Sequence, residues 1–262
     1  SVGNDYDKWA MNSYFLRLAY SYDNKYMATV TGRYDGSSKF GQNNKYAFFP
    51  SVGLGWMISN EDFLKDNSLI SKLKLHTSYG VTGNSEIGTY KSLATVSQSN
   101  TIIGDALHVV SYLDNMPNPD LKWEYSNELN IGIEGRFLNN RLSGEVNYFR
   151  ELRKNIIGIN SAKYATIGGN FIPSENIGEV LNQGIDACVN WNDKVGEDFT
   201  YNLGLNITFT KNKLRKTNEL SNIEDYRKSI GQPTSAIFGW QSQGLFGKDV
   251  AIAGHPFQSF GN

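Results

Sequence analysis

The chain has 262 residues, with 25 Lys+Arg against 26 Asp+Glu for a formal net charge of -1, and is 39% hydrophobic, 13% aromatic and 19% charged. That length holds one large domain or two small ones, and the balanced charge, without blocks of like sign, excludes nucleic-acid binding through a basic face and an acidic solvating tail. The single Cys188 rules out a disulfide framework or thiolate metal cluster and leaves the redox compartment open. No apolar stretch reaches the length of a membrane-spanning helix, and Ser1 to Asp7 show no signal-peptide pattern.

Asn (29) and Gly (26) are the turn formers of this composition, while Tyr (15) and Phe (14) supply much of its apolar content. The first pair suits turns and the second a pleated surface, so an all-β antiparallel chain is expected. Period-two alternation predicts strands at 13–22, 26–34, 46–58, 72–81, 127–137, 142–153, 183–191 and 200–210, with a ninth at 236–246.

In chain order, one face of each strand is free of charge. The first three carry Tyr14, Leu16, Leu18, Tyr20, Tyr22; then Tyr26, Ala28, Val30, Gly32, Tyr34; then Tyr46, Phe48, Pro50, Val52, Leu54, Trp56, Ile58. Leu73, Leu75, Thr77, Tyr79, Val81 and Leu129, Ile131, Ile133, Gly135, Phe137 follow. The last three read Leu142, Gly144, Val146, Tyr148; Ile185, Ala187, Val189, Trp191; and Tyr201, Leu203, Leu205, Ile207, Phe209. Alternate positions are polar or small and hold the charges Arg17, Arg33, Lys72, Lys74, Glu134, Arg136, Glu145 and Asp186.

A soluble sandwich shows the same alternation, so two further features decide. Rings collect toward the strand ends and leave Leu, Val, Ile, Ala and Gly between them, as girdles at the two interfaces of a bilayer require. Connections also alternate: 23–25 and 138–141 are tight and 59–71 and 192–199 moderate, against long ones at 35–45, 82–126, 154–182 and 211–235. Short turns on one side and long loops on the other favour an antiparallel transmembrane β-barrel. The polar face is poor in bulk (Ala19, Gly53, Gly55, Ser78, Gly132, Ser143, Gly184, Gly204), which suits a wide lumen and a segment of something larger than eight or nine strands.

The run Tyr26 to Gly41 (YMATVTGRYDGSSKFG), followed by Tyr46 to Glu61 (YAFFPSVGLGWMISNE), resembles the barrel of the SusC/RagA-type TonB-dependent outer-membrane transporters of Bacteroidetes. Leu73 to Asn84, Pro117 to Glu124, Asn127-Glu128 and Asn182 to Asp186 continue the likeness in order, over nearly the whole chain. The resemblance implies a barrel of roughly 22 strands closed by a plug. It further implies energy from the TonB-ExbB-ExbD complex, a SusD-like surface lipoprotein as lid, and homodimers of transporter–lipoprotein pairs in a bilayer with lipopolysaccharide. Oligosaccharides or peptides are the implied substrates. On that reading residues 1–262 are part of one barrel domain, from its C-terminal half, without the plug, the TonB box or the first barrel strands.

Candidate contacts with substrate lie on the 82–126 connection: Tyr90, Tyr112, Asp114 and Trp123, beside His108. Rings stacking on sugar faces next to a carboxylate would hold a glycan, and packing of the loop by Tyr112 and Trp123 is the alternative. The charged alternate positions are expected to face the lumen, and Asp35-Gly36-Ser37-Ser38 reads as a turn in which Gly36 takes a positive φ. Catalysis, metal and cofactor binding find no pattern: His76, His108 and His255 are far apart, and Gly168-Gly169-Asn170 lacks the lysine of a phosphate loop. Two other readings remain open from the residues alone, a small stand-alone outer-membrane barrel with a structural or adhesive role and a soluble carbohydrate-binding β-sandwich.

Overall fold

A computed structural model describes residues 6–65, 67–160, 163, 172–220 and 222–239. Among the described residues ten strands form: β1 (Met11–Tyr22), β2 (Tyr26–Ser37), β3 (Tyr46–Met57), β4 (Ile70–Asn84), β5 (Thr95–Ile103), β6 (Ala106–Asn115), β7 (Glu124–Phe137), β8 (Leu142–Ile159), β9 (Ser174–Val195) and β10 (Phe199–Lys216). Eight of them make one antiparallel sheet in the order β1-β2-β3-β4-β7-β8-β9-β10, and β5 pairs with β6 apart from it. The sheet is a meander with open edges at β1 and β10.

Turn chemistry sets this order. Asp23 and Asn24 both take φ 50, the left-handed pair that a two-residue hairpin turn needs and that Asp and Asn tolerate. The Lys25 N–H closes it on the Tyr22 carbonyl at 2.9 Å. Leu138, Asn139 and Asn140 (φ 54, 55 and 66) do the same between β7 and β8.

Register unites the separate apolar faces. Tyr20, Ala28, Leu54, Thr77, Ile131, Tyr148, Ile185 and Phe209 stand in one row across all eight strands. The adjacent row on the other face is Ser21, Met27, Gly55, His76, Gly132, Asn147, Asp186 and Thr208. A slip of one residue at any pairing would mix the two sets.

The apolar face is bare. Leu16, Leu18, Leu54, Leu205 and Ile207 expose 54% to 64% of their surface, where a soluble sandwich would cover them with a second sheet. Both belts of rings also descend across the sheet. Tyr14, Tyr34 and Phe48 share a row, but farther across Tyr79 stands opposite Val52, and Tyr148 and Phe209 lie in the row of Leu54. At the tight-turn end Tyr22, Tyr26 and Trp56 share a row, while Trp191 pairs with Leu142 and Leu203, nearer that end than the same row's Ala187. Parallel descent of the two belts is what strands tilted to a barrel axis produce. Between Tyr14 and Tyr22 the strand climbs about 26 Å, or about 20 Å of height at a tilt of ~40°, near the band a membrane barrel presents.

Buried apolar residues gather instead at the long-loop end. Trp123 packs on Phe40 (4.5 Å between ring centroids) and edge-on to Phe49 (5.5 Å), and its Nε1–H donates to the Lys45 carbonyl at 3.0 Å. Leu121 is fully buried, and its carbonyl accepts from the Gly41 N–H at 2.9 Å. The connection after β2 and the one before β7 are therefore one packed knot.

Several expectations are corrected. The 82–126 segment contains the β5–β6 hairpin, turning at Gly104 (φ 65); polar Ser97, Gln98, Ser99 and Asn100 on β5 hide its strand pattern. Strands β8 and β9 reach Ile159 and begin at Ser174, well beyond the predicted 153 and 183, because Asn155 (φ 56) forms a bulge that shifts the alternation. Asp35-Gly36-Ser37 is strand, not turn: Gly36 pairs with Asn12 and Tyr46, and a side chain there would overlap the Tyr46 ring. Of the expected ninth strand, 236–239 are irregular and 240–246 lie outside the described residues, as does His255.

Replacing Trp123 with Ala is expected to destabilise the knot by about 3–5 kcal/mol, as for a large buried aromatic. Limited proteolysis on intact cells checks it: cleavage within 38–45 should rise, while heat-modifiable migration of the barrel stays unchanged.

Candidate functional site

All eight charged positions read from the alternation, Arg17, Arg33, Lys72, Lys74, Glu134, Arg136, Glu145 and Asp186, fall on the polar face by register. Some of them pair there. The Lys72 ammonium donates to Glu134 at 2.6 Å, and Arg33 Nε sits 2.7 Å from the buried Asp35 carboxylate. His76 on β4 and Asn147 on β8 meet at 3.1 Å across the intervening β7, and Asn147 donates to Glu145 at 2.7 Å. Gly132 makes that meeting possible, because any side chain at its position would overlap both partners.

Beside this network a concavity of about 490 Å³ is lined by Thr29, Gly53, Lys74, His76, Glu134 and Glu145. Its chemistry is that of a hydrated wall offering donors and acceptors. Among the described residues no three His, Cys, Asp or Glu side chains converge on a point where a metal ion could sit.

Of the loop candidates, Tyr90, Tyr112 and Trp123 have different surroundings. Tyr90 holds φ 62, and its hydroxyl accepts from the Lys8 N–H at 3.1 Å, tying down the segment before β1. Tyr112 is exposed on β6 opposite Ser97, and Asp114 lies on the same strand. Trp123 is only 4% exposed and faces Phe40 and Phe49.

Sequence reasoning missed two clusters at the tight-turn end. Glu61 accepts from the Tyr26 hydroxyl at 2.7 Å and from Trp56 Nε1–H at 2.9 Å, with Lys25 Nζ at 3.4 Å. Across the sheet Asp193 pairs with Arg141, the guanidinium lies 5.3 Å from the Trp191 ring centroid, and the Tyr201 hydroxyl lies 3.5 Å from the carboxylate. Each combines Trp, Tyr, a carboxylate and a cation, and each fixes the polar tips of girdle rings. The visible signal was the pair Trp56…Glu61, an interfacial ring followed by an acid across one short turn.

A single antiparallel layer with one bare apolar face, two descending belts of rings, tight turns at one end and long connections at the other is the wall of a transmembrane β-barrel. The chain belongs to the TonB dependent receptor-like β-barrel family, whose model matches residues 1–257. It is 39% identical over 212 residues to the TonB-dependent receptor SusC of Bacteroides thetaiotaomicron, covering 78% of this chain and 21% of that protein. With TonB-dependent receptor P3 of Formosa agariphila the identity is 36% over 205 residues, 78% of this chain and 20% of the relative. Among solved structures, the RagAB peptide importer in its closed-closed state superimposes with a TM-score of 0.74 at 30% identity, over 85% of this chain and 25% of that one. The siderophore receptor PirA of Pseudomonas aeruginosa shares the fold at 15% identity and a TM-score of 0.51. The chain thus spans about a fifth of the length of the curated relatives. Its family is one of outer-membrane receptors and transporters.

Hydrogen bonds from Tyr26 and then Trp56 hold the Glu61 carboxyl below the ordinary value of 4.5. A depressed folded-state pKa contributes stability that is fully present above 4.5 and is lost as pH falls through the folded value. The gap in unfolding temperature between the native protein and Glu61→Gln is therefore expected to be constant at neutral pH and to narrow only as pH falls below 4.5. Thermal scans of the two proteins across that range check it.

Proposed function

We propose that this chain is wall of a TonB-dependent importer for oligosaccharides or peptides, energised through TonB-ExbB-ExbD and working with a SusD-like surface lipoprotein, in homodimers of such pairs. The bare apolar face, continuous across eight strands, carries the reading, and the likeness to the RagAB peptide importer and to SusC supports it. The sheet's edges at β1 and β10 leave backbone donors and acceptors that hydrocarbon cannot satisfy, so further strands close the barrel. The polar face then lines the lumen: Arg17, Arg33, Lys72, Lys74, Glu134, Arg136, Glu145 and Asp186 meet the plug or passing solute. No chemical step is assigned to it; capture, release and passage are its work.

The long-loop end faces the cell exterior. There the β5–β6 hairpin exposes Ile102, Leu107 and Val109 (66% to 72%), a surface suited to a protein lid. Tyr90, Tyr112 and Asp114 are the substrate contacts on this reading, and Trp123 holds the connection that carries them.

Purification of the intact transporter from outer membranes tests both parts. A surface lipoprotein should co-purify in stoichiometric amount and be lost from an Ile102→Asp/Leu107→Asp variant. Uptake of its oligosaccharide or peptide should cease when TonB is removed. A protein that migrates alone, near the mass of this chain, and supports TonB-independent uptake would contradict the proposal.

A further inference from the structure

On the lipid side of β2, β3 and β4, at the tight-turn end, lies a groove of about 590 Å³. The small side chain of Ala28 lowers the surface beside the rings of Tyr20, Tyr26 and Trp56, and Leu54, Thr77 and Leu75 continue the lining across β3 and β4. One of these walls is fixed in place. Tyr26 and Trp56 both donate to the same oxygen of Glu61, so their polar tips are tied together and the pair forms one preformed wall of the groove.

The same carboxylate anchors a charged cluster at the groove's lower end. Lys25 Nζ lies 3.4 Å from Glu61, 3.6 Å from Asp23 and 3.9 Å from Asp62, three carboxylates to one ammonium. Because Glu61 is reached by two outward-pointing rings, the cluster sits on the lipid side, beneath the groove and level with head groups. Asp23 and Asp62 are 66% and 94% exposed and only loosely held by Lys25, so their oxygens can accept from a second cation.

From this we infer that the groove and cluster are one binding site for a zwitterionic phospholipid of the inner leaflet whose head group ends in an ammonium. An acyl chain lies over Ala28 and Leu54 beside the Tyr26–Trp56 wall, and the ammonium bonds Asp23 and Asp62. The excess of negative charge selects against an anionic head group with no amine. The inference needs the face to be in a membrane and is independent of what the barrel transports.

Native mass spectrometry of the delipidated intact transporter, titrated with phosphatidylethanolamine or phosphatidylglycerol of matched chains, tests it. The native protein should retain the ethanolamine lipid about fivefold over the glycerol lipid, the factor one exposed ion pair supplies. Ala28→Phe fills the groove and should lower retention of both lipids, with heat-modifiable migration reporting its folding. Asp23→Lys/Asp62→Lys leaves the groove untouched and should reverse the preference. Equal retention of the two lipids by the native protein, or undiminished retention by folded Ala28→Phe, or an unchanged preference in the double-lysine variant, overturns the inference. Uptake that persists alongside any of those results leaves the transport reading standing.

Discussion

Backbone amides in hydrocarbon have no water to bond, so a strand that crosses a membrane must pair along both edges. Every other property of this chain follows from meeting that demand with strands of alternating character. Once the eight strands of the main sheet are paired in register, their apolar alternates have nowhere to go but one continuous face. That face cannot be exposed to water at the observed scale without aggregation, and the described residues do not cover it, since their buried apolar side chains lie at the long-loop end. Lipid is the solvent that suits it.

The two ends of the sheet solve different problems. At the tight-turn end, left-handed Asp23, Asn24 and Asn139 make connections too short to need a core, and the Glu61 and Asp193 clusters hold the girdle rings. At the other end β8 and β9 continue far past the height of a bilayer, 18 and 22 residues against the about 9–11 that a crossing needs. Their upper parts stand in water as a hydrogen-bonded rampart. The Phe40–Phe49–Trp123 knot and the β5–β6 hairpin rest at this end, where the proposed function puts contact with ligands and a lid.

The spanning part of the fold was legible in the sequence because burial in lipid imposes a strict period of two, and the predicted apolar faces are found on one side of the sheet, save Ile58, which lies in a 3-10 turn just past β3. What was lost has local causes. Asn155 breaks the period with a bulge, so Ile156, Ile157 and Ile159 read as loop. Gly36 looks like a turn residue, yet its bare Cα serves the Tyr46 ring, a contact made by pairing rather than by sequence proximity. The charged positions on the polar face could be named, but not the His76–Asn147 bridge, which depends on a glycine of a third strand. Trp123 shows the limit for loops: a ring in a long connection can serve a ligand or the fold, and only its neighbours Phe40 and Phe49 tell which role it has here.

The orientation of the two faces is open to direct measurement. In the intact barrel, with Cys188 first replaced, single spin labels placed in turn from 16 to 20 on β1 and from 28 to 31 on β2 can be probed with molecular oxygen and a water-soluble nickel chelate. Labels at Leu16, Leu18, Tyr20, Ala28 and Val30 should respond to oxygen, and those at Arg17, Ala19, Thr29 and Thr31 to the chelate. A response without that alternation, or with its phase reversed, would contradict a lipid-facing apolar surface and the transporter assignment with it.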